Sequence, residues 1–206
     1  MELGMKATDF LEKLKVTFKL EDFDAALEGS SFFDRHLILN EIDGTVGDAI
    51  ENVIRFWNRV DDEAGIPADK RKPIKIYIDS PGGDLSATFT MIDAIRLSKT
   101  PVWTVNVGMA YSGGFFTYIA GHKRFAYPHS SFMYHEGSAS NGGTSTQFQN
   151  FATFYKSQLN QLKDITLKYT KITPELYEEK RRDDWWLSAD EAVELGIVDE
   201  ITEGFI

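Results

Sequence analysis

The chain alternates between two hydrophobic periods, and each change of period marks an element. Residues 36–40 (HLILN) form a short apolar run, the pattern of a buried strand. Val46, Ile50, Val53 and Trp57 then recur at helical spacing, with Thr45 placed to cap the start. The polar stretch 61–73, which holds Pro67 and Pro73, predicts a surface loop. Residues 75–79 (KIYID) alternate, are rich in strand formers, and end at Ser80-Pro81-Gly82-Gly83. A helix is predicted over 85–98, with Leu85, Phe89, Ile92 and Ile95 on one face. Residues 102–107 predict a strand that ends at Gly108, and an apolar helix over 114–120 follows the turn. Strand, helix, strand, helix is the order of right-handed βαβ crossovers and a mostly parallel sheet, an α/β fold.

Residues 124–127 and 131–134 read as two more short strands around Pro128. The Gly-, Ser-, Asn- and Thr-rich segment 138–145 predicts a mobile loop. From 146 to about 171 a single long helix is expected, striped by Phe148, Phe151, Tyr155, Leu159, Leu162, Ile165 and Tyr169. Pro174 fits the first turn of another helix, and Ser188 with Glu191 fits a capping box for a short helix stopped by Gly196. Residues 1–31 mix helical and alternating patterns up to the break at Gly29-Ser30-Ser31. They read as an N-terminal arm, and residues 32–206 as one domain.

Composition narrows the function. With 206 residues, 42% hydrophobic and 13% aromatic, the chain can build a real core, which excludes wholesale disorder. A net charge of −10 repels phosphate backbones and argues against nucleic acid as a partner. No apolar run is long enough to span a membrane, and the N-terminus lacks the apolar region of a secretion signal. The absence of cysteine removes disulfides, cysteine-ligated metals and a cysteine nucleophile together. A cytoplasmic protein is expected. No metal-ligand spacing and no G-x-x-x-x-G-K-[ST] loop occurs, so neither metal, cofactor nor ATP hydrolysis by this chain is expected.

Four features carry candidate chemistry. Ser80-Pro81-Gly82-Gly83, between strand and helix, would let the backbone approach a ligand and aim amide groups at a negative oxygen; an ordinary turn is the plainer reading. Gly108-Met-Ala-Tyr-Ser112-Gly113-Gly114 places a serine in a tight strand-to-helix turn. This half matches a nucleophile elbow, because Ala110 stands where its first glycine should be; a helix-capping serine is the alternative. His135, at a strand end, is the favoured base for a serine hydroxyl, with His36, His122 and His129 as competitors. Asp183-Asp184 precedes Trp185-Trp186, where a partly desolvated carboxylate could orient an imidazole; a solvated charged helix end is the alternative.

Taken in order, these features resemble the proteolytic subunit of the Clp protease family, ClpP, over roughly residues 32–203. Its Ser-Pro-Gly-Gly turn, G-x-A-x-S-x-G turn, K-R-F-x-x-P-x-S segment and Met-x-His fall on 80–83, 108–114, 123–130 and 133–135. Asp184-Trp-Trp-Leu-Ser-Ala189 and Gly196-Ile-Val-Asp199 also look like the family's tail. The resemblance implies a crotonase-like spiral of βαβ units with a protruding handle helix at about 146–171. It implies a serine endopeptidase with Ser112 as nucleophile, His135 as base, Asp184 as orienting carboxylate, and Gly83 and Gly113 as oxyanion donors. It implies unfolded or peptide substrates that add as a strand beside 138–145. It also implies a homo-oligomeric ring, a heptamer or a stacked double heptamer, and an AAA+ unfoldase partner.

This sequence departs from the family pattern in several places. Glu136-Gly137 follow the histidine where Gln-Pro is usual, which places a negative charge near the site. Arg182-Asp183 stand just before Asp184, where an acidic residue and then arginine are usual, and residues 1–31 do not resemble the family's axial loop. These mark a divergent member, such as a phage-encoded one. Two other readings stand beside the peptidase. One is an acyl-CoA enzyme of the crotonase fold using Glu136, and the other is a non-catalytic subunit that assembles with an active paralogue.

Overall fold

The computed structural model describes residues 34–206; the N-terminal arm expected over 1–31 lies outside them. Strand β1 (His36–Ile42) leads into helix α1 (Gly44–Glu63), and β2 (Ile74–Gly83) into α2 (Leu85–Leu97). Then come β3 (Val102–Tyr111), α3 (Gly113–Ile119), β4 (Lys123–Ala126) and β5 (Ser131–Tyr134). The long α4 (Ser145–Tyr169), α5 (Pro174–Lys180), β6 (Trp185–Ser188), α6 (Ala189–Glu194) and β7 (Glu200–Ile201) complete the chain.

The strands form one sheet in the order β1-β2-β3-β4-β7, all parallel, with β5 branching from β3 and β6 antiparallel to β5. The predicted α/β fold with a mostly parallel sheet is the one observed. In β2, Ile74, Ile76 and Ile78 are fully buried while Lys75, Tyr77 and Asp79 alternate outward, so the period-two pattern sets which face meets the core. All seven residues of α3 are buried, which is why its sequence is apolar all round.

Several expected boundaries move. Asp43, not Thr45, caps α1 by accepting the Val46 amide at 2.8 Å. The predicted loop at 61–73 begins later, because α1 continues to Glu63. Its polar end is not solvated throughout: Asp61 is wholly buried and takes a bidentate ion pair from Arg35 at 2.6 and 2.8 Å. β2 does not stop before Ser80 but runs through Gly83, with Glu41 opposite Gly82 and Ile42 opposite Gly83. β3 likewise passes Gly108 and ends at Tyr111. Both extensions follow register shifts, after Ile78 in β2 and after Asn106 in β3, so Gly108 lies within a bulge while Gly82 and Gly83 pair with β1 beyond one.

The long helix α4 begins with a capping box between Thr144 and Gln147. Its apolar stripe is most deeply buried in the C-terminal half, at Leu162, with Phe151 and Tyr155 half-buried before it. Phe148 and Phe154 stand 55% and 60% exposed, so the N-terminal half projects from the domain. The capping box at Ser188 and Glu191 forms as expected, and Thr173 caps α5 ahead of Pro174. Segment 138–143 carries no helix or strand.

Candidate active site

Two strand pairings bring the candidate residues together. β3 runs parallel to β5 with Tyr111 opposite Met133, so Ser112 and the residues after Met133 leave the sheet side by side. β5 runs antiparallel to β6 with Tyr134 opposite Trp185, and the next positions in that register are His135 and Asp184. Three residues distant in sequence therefore meet at one end of the sheet.

Ser112 occupies a strained backbone conformation, φ 52° and ψ −121°. For a residue with a Cβ this costs on the order of 1–3 kcal/mol. Its amide donates to the Met133 carbonyl at 2.9 Å, and its carbonyl accepts from Phe116 at 3.2 Å, which pins the turn on both sides. The hydroxyl does not cap α3. It stands 2.6 Å from His135 Nε2 instead. On the other side of the ring, His135 Nδ1 lies 3.4 Å from Asp184 Oδ1. Asp184 is not desolvated as its tryptophan neighbours suggested: its side chain is 60% exposed, and Trp186 itself faces out, edge-on to Tyr111.

The glycines of the first motif close the pocket from β2. Gly82 (φ 102°) passes so near the serine turn that a Cβ there would lie 2.7 Å from Ser112 Cβ. Its amide donates to the buried Ser80 hydroxyl at 3.1 Å, which holds the motif in place. Gly83 follows with φ 151°, and its amide nitrogen lies 3.5 Å from where a side chain on Gly113 would begin. A Cβ on Gly113 would also collide with Thr88 Oγ1 at 2.5 Å, so only glycine fits both this turn and its neighbour. The expected turn geometry differs in one respect. α2 is capped by Asp84 and starts at Leu85, so Gly83 belongs to the strand end rather than to the helix start.

Ser112, His135, Gly83 and Gly113 line one hollow of about 590 Å³, walled on its apolar side by Phe116 and Leu162. The competing histidines lie elsewhere. His36 and His122 stand at the opposite, N-terminal ends of the parallel strands: His36 packs edge-on against Tyr77, and the His122 ring accepts the Val102 amide at 3.0 Å. His129 sits in the turn between β4 and β5. Glu136 is not a free acid: its carboxylate accepts from Arg181 at 2.6 Å and its carbonyl from the Tyr155 hydroxyl at 3.0 Å. Arg181 reads in the sequence as one member of a charged run, with no local signal naming its partner.

The fold and this grouping are those of an α/β protein that sets a serine hydroxyl beside an imidazole and a carboxylate at one end of its sheet. Residues 66–204 match the family model for Clp protease, and the chain belongs to that family, whose members are serine-type peptidases. It is 31% identical to the ATP-dependent Clp protease proteolytic subunit 2 of Treponema pallidum over 134 residues, 64% of this chain and 67% of that protein. The subunits of the same name from Rhodococcus jostii and Prochlorococcus marinus are 33% and 35% identical. They cover 65% of this chain and 69% and 67% of their own lengths. β1 and α1 precede the matched stretch.

Proposed function

We propose that Ser112 attacks a peptide carbonyl while His135 Nε2 takes its proton, and that Asp184 orients the imidazole and favours its cationic form. His135 then returns the proton to the leaving amine, and a water activated by the same ring hydrolyses the acyl-enzyme. The amides of Gly83 and Gly113 hold the oxyanion in this scheme. Losing one such donor typically costs about a hundredfold or more. The observation that carries the reading is the Ser112 hydroxyl, turned out of the helix by a positive φ and lying 2.6 Å from His135 Nε2.

The substrate is an unfolded or flexible peptide laid as a strand past 138–145. The subunits assemble into a homo-oligomeric ring, with stacking through the exposed Phe148 and Phe154 of α4. The cytoplasm suits such a particle. Among the described residues no helix is long and apolar enough to cross a membrane. With no nucleotide loop of its own, the chain would depend on a separate AAA+ unfoldase for folded substrates. The acyl-CoA reading loses support because Glu136, its one acid–base candidate, is engaged by Arg181. Ser112→Ala should abolish both peptide hydrolysis and fluorophosphonate labelling. Undiminished cleavage by that variant would reject the assignment.

A further inference from the structure

We propose that the Glu136–Arg181 ion pair is a positioning device that holds His135 opposite Asp184 within a single subunit. The proposal rests on the catalytic reading above. The β5–β6 ladder ends at Tyr134 and Trp185, one residue short of the pair it must align. Beyond it, the contact between His135 and Asp184 is 3.4 Å. Strong charge-assisted hydrogen bonds are shorter, about 2.7–2.9 Å. Asp184 is also largely exposed, so this contact alone cannot fix two chain segments.

Glu136 is the residue after His135, and Arg181 lies three before Asp184. Their 2.6 Å contact ties the two segments together on the far side of the pair. His135 and Asp184 are thus bracketed, by the ladder on one side and by the ion pair on the other. The bracket is itself anchored. Arg181 Nε donates to Glu178 at 2.6 Å, and Glu178 accepts from Lys163 of α4 at 2.5 Å. Tyr155, also of α4, donates to the Glu136 carbonyl at 3.0 Å, and Tyr134 donates to Tyr177 of α5 at 2.6 Å. A guanidinium suits this task because its rigid fork can serve two carboxylates at once.

Arg181 and Glu136 are 29% and 26% exposed, sheltered enough to limit screening. Every group in this bracket belongs to one chain. The charge balance matters as well. The titratable and charged groups around His135 are Asp184, Glu136, Arg181, Tyr155 on α4, and Asp84 across the hollow. Arg181 offsets the Glu136 carboxylate beside His135, while Asp184 faces Nδ1.

The test uses the full chain, the rate of fluorophosphonate acylation at Ser112, and kcat and KM on a short fluorogenic peptide. Arg181→Gln and Glu136→Gln should each slow acylation and kcat about tenfold, with KM within about twofold, since misplacement by about 1 Å can cost about a hundredfold. The double variant should lose no more than the worse single one, because both remove one interaction. Arg181→Lys, a milder change that keeps the charge, should lose only about threefold, a deficit set by the missing fork. Single variants that acylate at the parental rate, or double-variant losses equal to the product of the singles, would overturn the proposal. A loss in Arg181→Lys as large as that in Arg181→Gln would do the same. Absence of Ser112 labelling in the parent is a different failure, that of the catalytic reading itself.

Discussion

Gly82→Ala tests whether the backbone of β2 sets the position of the Ser112 hydroxyl. Gly82 has φ 102°, and a methyl group there would stand 2.7 Å from Ser112 Cβ and 2.9 Å from both the Gly113 amide nitrogen and the Tyr111 carbonyl oxygen. Carbon atoms pack best at about 3.5–4.0 Å, so the serine turn or the strand must retreat by roughly 1 Å. A left-handed backbone with a Cβ costs about 1–2 kcal/mol, and overpacking adds about 1–3 kcal/mol. The expected loss of stability is therefore about 2–5 kcal/mol, and the expected fall in turnover about a hundredfold from misplacement alone. Gly65→Ala separates the two causes. It has φ 65° but nothing within 4 Å of the added methyl. It should cost about 1–2 kcal/mol and leave Ser112 labelling unchanged. Urea unfolding and labelling rates read both variants. If Gly82→Ala keeps more than half the parental labelling rate, or if Gly65→Ala loses as much activity, contact with the serine turn is not what the glycine protects.

At the other end of the sheet, Asp61→Asn should cost about 3–5 kcal/mol in urea unfolding by stranding the buried Arg35 charge, while folded molecules retain their labelling rate. Burial works to raise the Asp61 pKa, but the hydrogen bonds from Arg35 and Thr100 outweigh it and depress it overall. Its stabilising effect is therefore complete above the ordinary carboxylate range and fades as pH falls through the depressed value. The parent should lose stability on acidification below about pH 4, and Asp61→Asn should flatten that slope. Phe148→Ser combined with Phe154→Ser removes exposed apolar surface from α4, so circular dichroism should be unchanged while the assembled mass falls in analytical ultracentrifugation; an unchanged mass would rule this face out of ring stacking.

The sheet and its order of elements were legible because period-two and period-3.6 patterns alternate cleanly from β1 to α3. Boundaries failed where glycine was taken as a stop. Gly82, Gly83 and Gly108 lie inside extended strands, because the ladders resume after a change of register: Gly108 falls within the bulge, and Gly82 and Gly83 pair beyond it. Thr45 lost the cap to Asp43 because both are good capping residues and only tertiary packing sets the first helical residue. Ser112, His135 and Asp184 were each legible as candidates, yet spacing alone favoured none of them over capping or solvated roles. Only two strand pairings, both long-range, place them side by side. The Arg181–Glu136 pair was hidden for the same reason: a charged run names no partner.

The branch in the sheet explains why a site forms at this end at all. β3 pairs with β4 from Trp103 to Asn106 and with β5 from Met109 to Tyr111, so its two halves face different neighbours. A strand that changes partners leaves ladder groups unpaired where the neighbours diverge, and buried polar groups left unpaired cost about 1–3 kcal/mol each. Asn106, fully buried, stands at that point. Its Nδ2 donates to the Ser131 carbonyl at 2.9 Å, its Oδ1 accepts the Gly108 amide at 3.1 Å, and its own carbonyl accepts the Tyr127 amide at 2.8 Å. One side chain thereby replaces the missing ladder and fixes the first residue of β5 against β3. β5 is only four residues long, so its start determines where His135 emerges. The position of His135 beside Ser112 is thus set from within the core, by a polar residue that an apolar one of similar size could not replace.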